Sequence, residues 1–279
     1  MPELPEVHTV AKSLEPLLVG RTVRHVKVQR RDIVTGKASQ NALLANQTVD
    51  RILRHGKQLA IVSDAGKCVC VHLGMSGSVL ANPAETTTHA HIVWHMTNDD
   101  RIVYRDPRRF GGLWTYDTLE QLQADRWDKL GPDALTVQTD QLWQKFRATR
   151  RAIKAILLDQ HVVAGLGNIY VDELLFRSRI HPMRPADSLR RAVCEQMIEH
   201  MQSVLQEAIN ARGSTLRDYV DSRGQDGGFQ LSHQVYGRAG EPCVNCGKRL
   251  SSSLVGGRTT VWCGKCQRQR RLINRSRYK

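Results

Sequence analysis

The sequence predicts an α+β protein assembled from separate blocks, and three observations carry that reading. Apolar residues near the N-terminus recur at helical spacing; the following stretch switches to period-two alternation; the C-terminal half returns to helical spacing and closes on paired cysteines. At 279 residues the chain has room for two domains and a small third module, taking about 150 residues per domain.

Residues 3–19 set Val7, Val10, Ala11, Leu14, Leu17 and Leu18 along one helical face, and Gly20 is the stop. Over 22–116 the runs Val23, Val26 and Val28, Leu59 and Ile61, Val69, Val71 and Leu73, and Ile92, Trp94 and Met96 mostly alternate. Asp64-Ala65-Gly66 and Asn98-Asp99-Asp100 punctuate them as turns, which predicts antiparallel sheet. Residues 118–150 read as short helices and a connector containing Gly131-Pro132; 151–220 is helical again, with a long amphipathic helix over 187–211. The expected organisation is a β-rich domain over 1–131, a linker over 132–150, a helical domain over 151–235, a cysteine module over 236–267 and a tail over 268–279.

Composition narrows the function. Hydrophobic residues at 41% and charged residues at 24% exclude collagen-like, disordered and coiled-coil classes. Every apolar stretch is interrupted well short of the roughly 18 residues a membrane span needs. The opening MPELPEVHTV carries acids where a secretion signal needs bases, so a cytoplasmic or nucleoid location is expected. The net charge is +14, unevenly spread: residues 1–131 carry +3 and residues 132–279 carry +11. From Cys243 to Lys279 there are ten Lys or Arg and no acid. Such a run attracts a polyanion, so nucleic acid is the leading partner. A membrane surface would require a basic amphipathic helix that the sequence lacks; the plainer alternative is a solvated tail that serves solubility.

Four of the seven cysteines form Cys243-x-x-Cys246 and, sixteen residues later, Cys263-x-x-Cys266. Each pair turns two sulfurs toward one point, and a hairpin of that length brings the points together, so the pattern reads as a four-thiolate zinc ribbon. Two disulfides are the alternative, disfavoured in a reducing compartment. Gly247 and Gly264 suit tight turns beside the pairs, while Cys68, Cys70 and Cys194 sit in apolar settings as core residues.

Four segments could carry chemistry. Removal of Met1 would leave Pro2 with a free secondary amine, a nucleophile able to form an iminium directly, with Glu3 and Glu6 beside it as acid or base. On local pattern alone, a proline and acids opening a helix explain the same residues. The segment His72-Leu73-Gly74-Met75-Ser76-Gly77-Ser78 follows an apolar strand and would expose Met75 on a tight loop. Asp106-Pro107-Arg108-Arg109-Phe110-Gly111-Gly112 would present Arg108 and Phe110 to one side. Apolar wedges and an arginine suit insertion into a base stack, against the plainer readings of an inward Met75 and a buried Phe110. Gly165-Leu166-Gly167-Asn168 opens a helical run with Asn168 as N-cap, a phosphate-binding geometry; it lacks a third glycine and a P-loop lysine, so no nucleotide cofactor is expected.

Taken together and in order, PELPEV, HLGMSGS, DPRRFGG, GLGNIYVDE, QVYGR and the closing cysteine pairs resemble the formamidopyrimidine-DNA glycosylase family, over Pro2 to about Gln267. The resemblance implies an N-terminal helix plus β-sandwich domain, then a helix-two-turn-helix domain with a zinc ribbon, in a bacterial repair enzyme acting on damaged double-stranded DNA. It implies Pro2 as nucleophile at C1′ of a damaged nucleotide, Glu3 as the acid that protonates the opening sugar, and Lys57 as a backbone contact that assists β-elimination. Asn168 and Arg258 match the pair gripping the flanking phosphates, with Arg258 also linked to δ-elimination. His89, Arg108 and Arg150 align with further DNA contacts, and Met75, Arg108 and Phe110 with the residues that fill the space of an extruded base. Cys243, Cys246, Cys263 and Cys266 would hold one structural zinc, and a monomer is expected. Residues 213–235 would form a mobile, glycine-rich loop around the extruded base.

The chain also departs from the family pattern. His8 stands where many members carry Glu, and Arg150 where a lysine is common. The tail after Gln267 is long and basic and is expected to add non-specific DNA affinity, which truncation would reveal in the salt dependence of binding. Two rivals stay in view: an endonuclease VIII-like enzyme for oxidised pyrimidines, whose start typically reads PEGPE where this chain has Leu4, and a zinc-ribbon DNA-binding protein without catalysis.

Overall fold

The computed structural model describes residues 1–85 and 87–269. The described chain divides into two compact units, one made of residues 1–133 with 205–232, the other of 134–204 with the described residues from 233 onward. The tail expected over 268–279 lies, from residue 270 on, outside the described residues.

In the first unit, α1 (Leu4–Leu18) buries Val7, Val10, Ala11, Leu14 and Leu18, the face the spacing predicts. Pro5 sits in its first turn, where a missing N–H removes no helical bond. The helix ends at a Val19 cap, and Gly20 turns the chain at φ +75°, a conformation glycine reaches without steric cost. Nine strands follow: β1 (Val23–Val28), β2 (Val34–Thr35), β3 (Val49–His55), β4 (Gln58–Ser63), β5 (Cys68–His72), β6 (Ser78–Ala81), β7 (Ala90–Met96), β8 (Arg101–Arg105) and β9 (Gly112–Tyr116). They form a four-stranded sheet ordered β1-β7-β8-β6 and a five-stranded sheet ordered β2-β9-β5-β4-β3. Residues of both sheets and of α1 share one core, among them Val26, Trp94, Tyr104, Leu59 and Val71.

Two features depart from simple alternating antiparallel sheet. The two-residue β2 runs parallel to β9, because it joins the second sheet directly after β1 of the first and no hairpin sets its direction. Strand β4 is buried at every position. The second face of β4 and β5, with Ala60, Val62, Cys68 and Cys70, is covered by Leu122 of α2 (Leu119–Leu122) and by Trp127. Burial also accounts for the thiols: it pushes Cys70 up to about 12 and Cys68 up to about 11, so both are inert core residues at neutral pH.

Residues 205–232 complete this unit along α1. The Ser214 N–H donates to Glu6 Oε1 at 2.7 Å, the Ser222 N–H to Ser13 Oγ at 3.2 Å, and Tyr219 enters the core. The first half of the loop expected to be mobile is thus tied to α1.

The second unit contains α3 (Thr139–Arg147), α4 (Ile153–Leu157), α5 (Asn168–Arg177) and α6 (Arg191–Asn210) as far as Val204. Along α6, Cys194, Met197, Ile198, Met201, Val204, Leu205 and Ala208 are buried, a 3–4 spacing that realises the predicted amphipathic helix. The ribbon hairpin pairs β10 (Ser251–Val255) with β11 (Arg258–Trp262). Gly256 and Gly257 turn it at φ +59° and +73°, as a two-residue hairpin turn with two left-handed residues demands. Val261, Leu250 and Val235 pack the module onto Phe176 of α5.

Candidate functional site

The N-terminal residues are built as a buried knot. Pro2 is buried, Met1 is 46% exposed, and Glu3 and Glu6 are 2% and 1% exposed. Glu3 caps α1, and the two acids form a reciprocal capping box in which the Glu3 N–H donates to Glu6 Oε2 at 2.8 Å. Glu6 Oε1 simultaneously accepts the Ser214 N–H. The helix-start reading and the chemical reading therefore describe the same atoms: the capping that favours α1 also fixes the backbone next to Pro2. His8, one turn on, is held below the usual imidazole range by burial and by Arg54 and Lys12, so it is neutral at pH 7 where a family carboxylate would be charged.

Lys57 occupies the two-residue turn between β3 and β4, after Gly56 at φ +55°, and is 8% exposed. Asp133 holds that turn from outside. Its carboxylate accepts the Gly56 N–H at 2.8 Å and both terminal nitrogens of Arg54 at 2.6 and 3.0 Å, a bidentate geometry. His55 Nε2 lies 3.1 Å from the Gly131 carbonyl, so the Gly131-Pro132 connector read from sequence serves as a brace for Lys57.

Next in register, Gln58 pairs with His72, which opens the HLGMSGS loop. Burial and the charge of Lys57 push His72 down to about 4, and its Nδ1 accepts the Gly74 N–H at 3.1 Å, as only a neutral ring can. This loop lies directly on the DPRRFGG loop. A Cβ on Gly74 would sit 2.3 Å from Gly111 N, and one on Gly111 2.3 Å from the His72 carbonyl, so the two backbones touch where only glycine fits. Met75 is 39% exposed and Phe110 56% exposed, as the sequence predicts. The Arg108 guanidinium carbon lies 4.7 Å from the centre of the Phe110 ring, which presents arginine and aromatic together. His89 is exposed at φ +59° on the approach to β7.

In the second unit, Asn168 corrects one expectation. It is the first residue of α5 and Gly167 is the cap, because the Asn168 side chain is drawn elsewhere: its Nδ2 donates to the Thr259 carbonyl at 2.8 Å. That bond sets Asn168 beside Arg258, the exposed first residue of β11. Two further contacts register the strand. Lys154 pairs with Asp172 at 2.6 Å in a fully buried position and donates to the Thr259 carbonyl at 3.3 Å, while Asp172 accepts the Val261 N–H at 3.1 Å. Burial pushes Asp172 up to about 6 against the pull of Lys154. Arg150 is 80% exposed, its Nε 3.8 Å from Asp187.

The four ribbon sulfurs lie within 4.8 Å of one another, with Cys243 and Cys263 buried. Cys243 Sγ is 3.9 Å from Cys266 Sγ and Cys246 Sγ 3.5 Å from Cys263 Sγ. These separations are too long for disulfides and close to the about 3.8 Å between corners of a tetrahedron with metal–sulfur bonds of about 2.3 Å. The Cys266 N–H points at Cys263 Sγ from 3.4 Å, as thiolate ligands require. Gly247 takes the left-handed turn anticipated for it, at φ +72°.

Sequence reasoning missed several residues that build these sites: Asp133 behind Lys57, Ser214 on Glu6, Thr259 between Asn168 and Arg258, and Ser76 and Asp106 beneath the exposed loops. Ser76 and Asp106 stand inside the quoted loop motifs, where the Asp-Pro turn opener is the only local signal; the rest act through contacts distant in sequence.

Comparison with known proteins matches residues 1–113 to the formamidopyrimidine-DNA glycosylase N-terminal domain and residues 130–220 to the formamidopyrimidine-DNA glycosylase H2TH domain. The chain is 40% identical to the formamidopyrimidine-DNA glycosylase of Bacillus subtilis, covering 96% of this chain and 99% of the relative. It is 41% identical to that of Geobacillus kaustophilus, covering 96% and 100%. Among solved structures it resembles the MutM (Fpg) protein of Thermus thermophilus, with TM-score 0.85, 36% identity and coverage of 95% and 98%. It also resembles Lactococcus lactis Fpg in complex with abasic-site DNA, with TM-score 0.87, 32% identity and coverage of 96% and 100%.

Proposed function

The chain belongs to the formamidopyrimidine-DNA glycosylase family, and from that membership we infer a base-excision-repair glycosylase for damaged DNA that uses Pro2 as its nucleophile. We assign it oxidised purines, 8-oxoguanine and formamidopyrimidines, as substrates, and an AP lyase activity that runs through β,δ-elimination. The observation that carries this reading is the N-terminus: a buried proline covered by an exposed methionine and followed by a buried, capping glutamate.

A sugar carbon inside a duplex is out of reach of a protein amine, so the nucleotide must be extruded first, at a cost of a few kcal/mol. Met75, Arg108 and Phe110 are exposed and would enter the space left behind, offsetting part of that cost. The Pro2 nitrogen, free after loss of Met1, bonds to C1′ as the bond from C1′ to the base breaks and the base leaves with a proton. Glu3 protonates the ring oxygen as the sugar opens to an iminium. The iminium acidifies C2′; loss of that proton expels the 3′ phosphate, and a second elimination expels the 5′ phosphate, leaving a one-nucleotide gap. Lys57 assists the first elimination and Arg258 the second. Asn168 and Arg258 hold the flanking phosphates, and His89 and Arg150 add backbone contacts. Hydrolysis of the iminium returns Pro2.

Cys243, Cys246, Cys263 and Cys266 would hold one zinc ion, which would cross-link the ribbon; with four thiolate ligands it would have no open position for a reactant. Among the described residues no helix is long and apolar enough to cross a membrane. We place the protein in the bacterial cytoplasm with the nucleoid DNA, as a monomer without a nucleotide cofactor. The domain boundaries expected from sequence are retained as a proposal.

Borohydride reduction tests the reading. Processed, metal-loaded protein is expected to form a covalent adduct with duplexes carrying oxidised purines in preference to oxidised pyrimidines, and Pro2→Gly to abolish most of it. An enzyme that cleaves these duplexes but cannot be trapped, or whose Pro2→Gly variant is trapped normally, would refute Pro2 as nucleophile.

A further inference from the structure

Asp106 is completely buried, yet it is an acid, and the chemistry proposed above has no use for it. A carboxylate in such a place persists only if donors surround it. Its donors are backbone N–H groups and neutral hydroxyls. Oδ1 accepts the Ser76 hydroxyl at 2.7 Å and the Arg108 N–H at 3.3 Å; Oδ2 accepts the Gly111 N–H at 2.8 Å and faces the Tyr104 hydroxyl at 3.5 Å. The backbone of Asp106 is engaged as well. Its N–H donates to the His89 carbonyl at 3.2 Å, and its carbonyl lies 2.9 Å from His91 Nε2 in the core.

These partners have one property in common. Ser76 follows Met75, Gly111 follows Phe110, and Arg108 and His89 are themselves assigned DNA contacts. One residue thus binds, directly or one peptide away, each of the four DNA-contacting side chains His89, Met75, Arg108 and Phe110. The loops it joins have no slack, since a Cβ on Gly111 would come within 2.5 Å of the Tyr104 hydroxyl as well as against His72. We propose that Asp106 is the positioning residue of the wedge: its carboxylate fastens the Met75 loop to the Arg108–Phe110 loop and so sets the geometry with which both enter the base stack. Asparagine cannot replace it, because an amide has a single acceptor oxygen and would turn an N–H toward one of the two donor pairs.

This inference rests on the assignment of Met75, Arg108 and Phe110 as the wedge, and the test separates the two. Single-turnover base release from a duplex carrying an oxidised purine requires extrusion; borohydride trapping on a duplex with a preformed abasic site has no base left to extrude. Asp106→Asn is expected to slow base release about 10- to 100-fold, the scale on which small misplacements act, and to change abasic-site trapping by less than about 3-fold. Ser76→Ala removes only the tether to the Met75 loop and is expected to slow base release about 3- to 10-fold with trapping unchanged. If Phe110→Ala and Met75→Ala slow base release while Asp106→Asn and Ser76→Ala do not, the positioning role is wrong and the wedge stands. If Phe110→Ala and Met75→Ala leave base release intact, the wedge assignment fails and this proposal fails with it. Equal losses in both assays for a folded Asp106→Asn, judged by its melting temperature and bound zinc, would show a general structural role and also overturn the proposal. Should Asp106→Asn not fold, Ser76→Ala decides.

Discussion

Glu6 illustrates how closely fold and chemistry overlap at the scale of single residues. One oxygen of its buried carboxylate receives the Glu3 N–H and the other the Ser214 N–H, so it joins the start of α1 to a segment more than 200 positions away. Gly213 lies against the same carboxylate, where a Cβ would come within 2.7 Å of Oε1. Hydrogen bonds to a buried charged acceptor contribute about 1.5–3 kcal/mol each. Glu6→Gln keeps the size but turns an amide N–H toward one of the two donors; it is expected to lower the free energy of unfolding by about 2 kcal/mol. Urea denaturation measures this, and an unchanged midpoint would mean that the two bonds contribute nothing net.

At the scale of elements, several side chains proposed for catalysis or DNA binding sit on turns that another segment braces. The Lys57 turn is braced by Asp133 and the Met75 loop by the Arg108–Phe110 loop, while Arg258 lies on a hairpin whose own core is only a handful of side chains. So small a core cannot hold a hairpin by itself; the zinc proposed for the four cysteines would supply the missing stability, as structural zinc contributes about 10–16 kcal/mol in comparable modules. Chelation of the proposed zinc, or Cys243→Ser, is therefore expected to release β10 and β11 and to weaken DNA binding. The helical signal in far-ultraviolet circular dichroism should persist, because α5 and α6 bury their own apolar faces. Binding that survives complete zinc loss would remove the ribbon from the DNA-binding surface.

For the molecule as a whole, charge and protonation set the working range. Excess positive charge is concentrated in residues 132–279, which predicts DNA affinity that falls steeply with salt. Acid should act through partly buried imidazoles. Burial pushes both His72 and His233 down to about 4, whereas an unfolded chain protonates them near 6.5. The unfolded state therefore binds more protons than the folded state between those limits, and stability is expected to fall as pH drops from about 6.5 toward about 4. Protonated His72 would also turn an N–H toward the Gly74 N–H, loosening the Met75 loop. Denaturation midpoints at about pH 7 and about pH 5 measure the effect, and replacing both histidines with glutamine should shrink the difference. A midpoint independent of pH would mean that the fold does not hold either ring in its neutral form.

Much of this was written locally and could be read locally. Periodicity over 3–19 located α1 and its buried face; paired cysteines located the ribbon; glycines flanking Met75 and Phe110 marked loops that expose apolar side chains. Such features follow from backbone preferences and burial patterns within a few residues of one another, which is the range over which a linear sequence carries its own explanation. What only the tertiary structure decided is who stands behind each exposed group. The local sequence makes Asn168 a cap, but the Thr259 carbonyl, 91 positions away, claims its side chain. β4 is buried on both faces because Leu122 and Trp127 return to cover it, and Asp106 faces inward because four donors from two loops and a neighbouring strand meet there. A buried polar atom takes whichever partner the finished fold brings within about 3 Å, and that partner is chosen by long-range packing that no local pattern encodes.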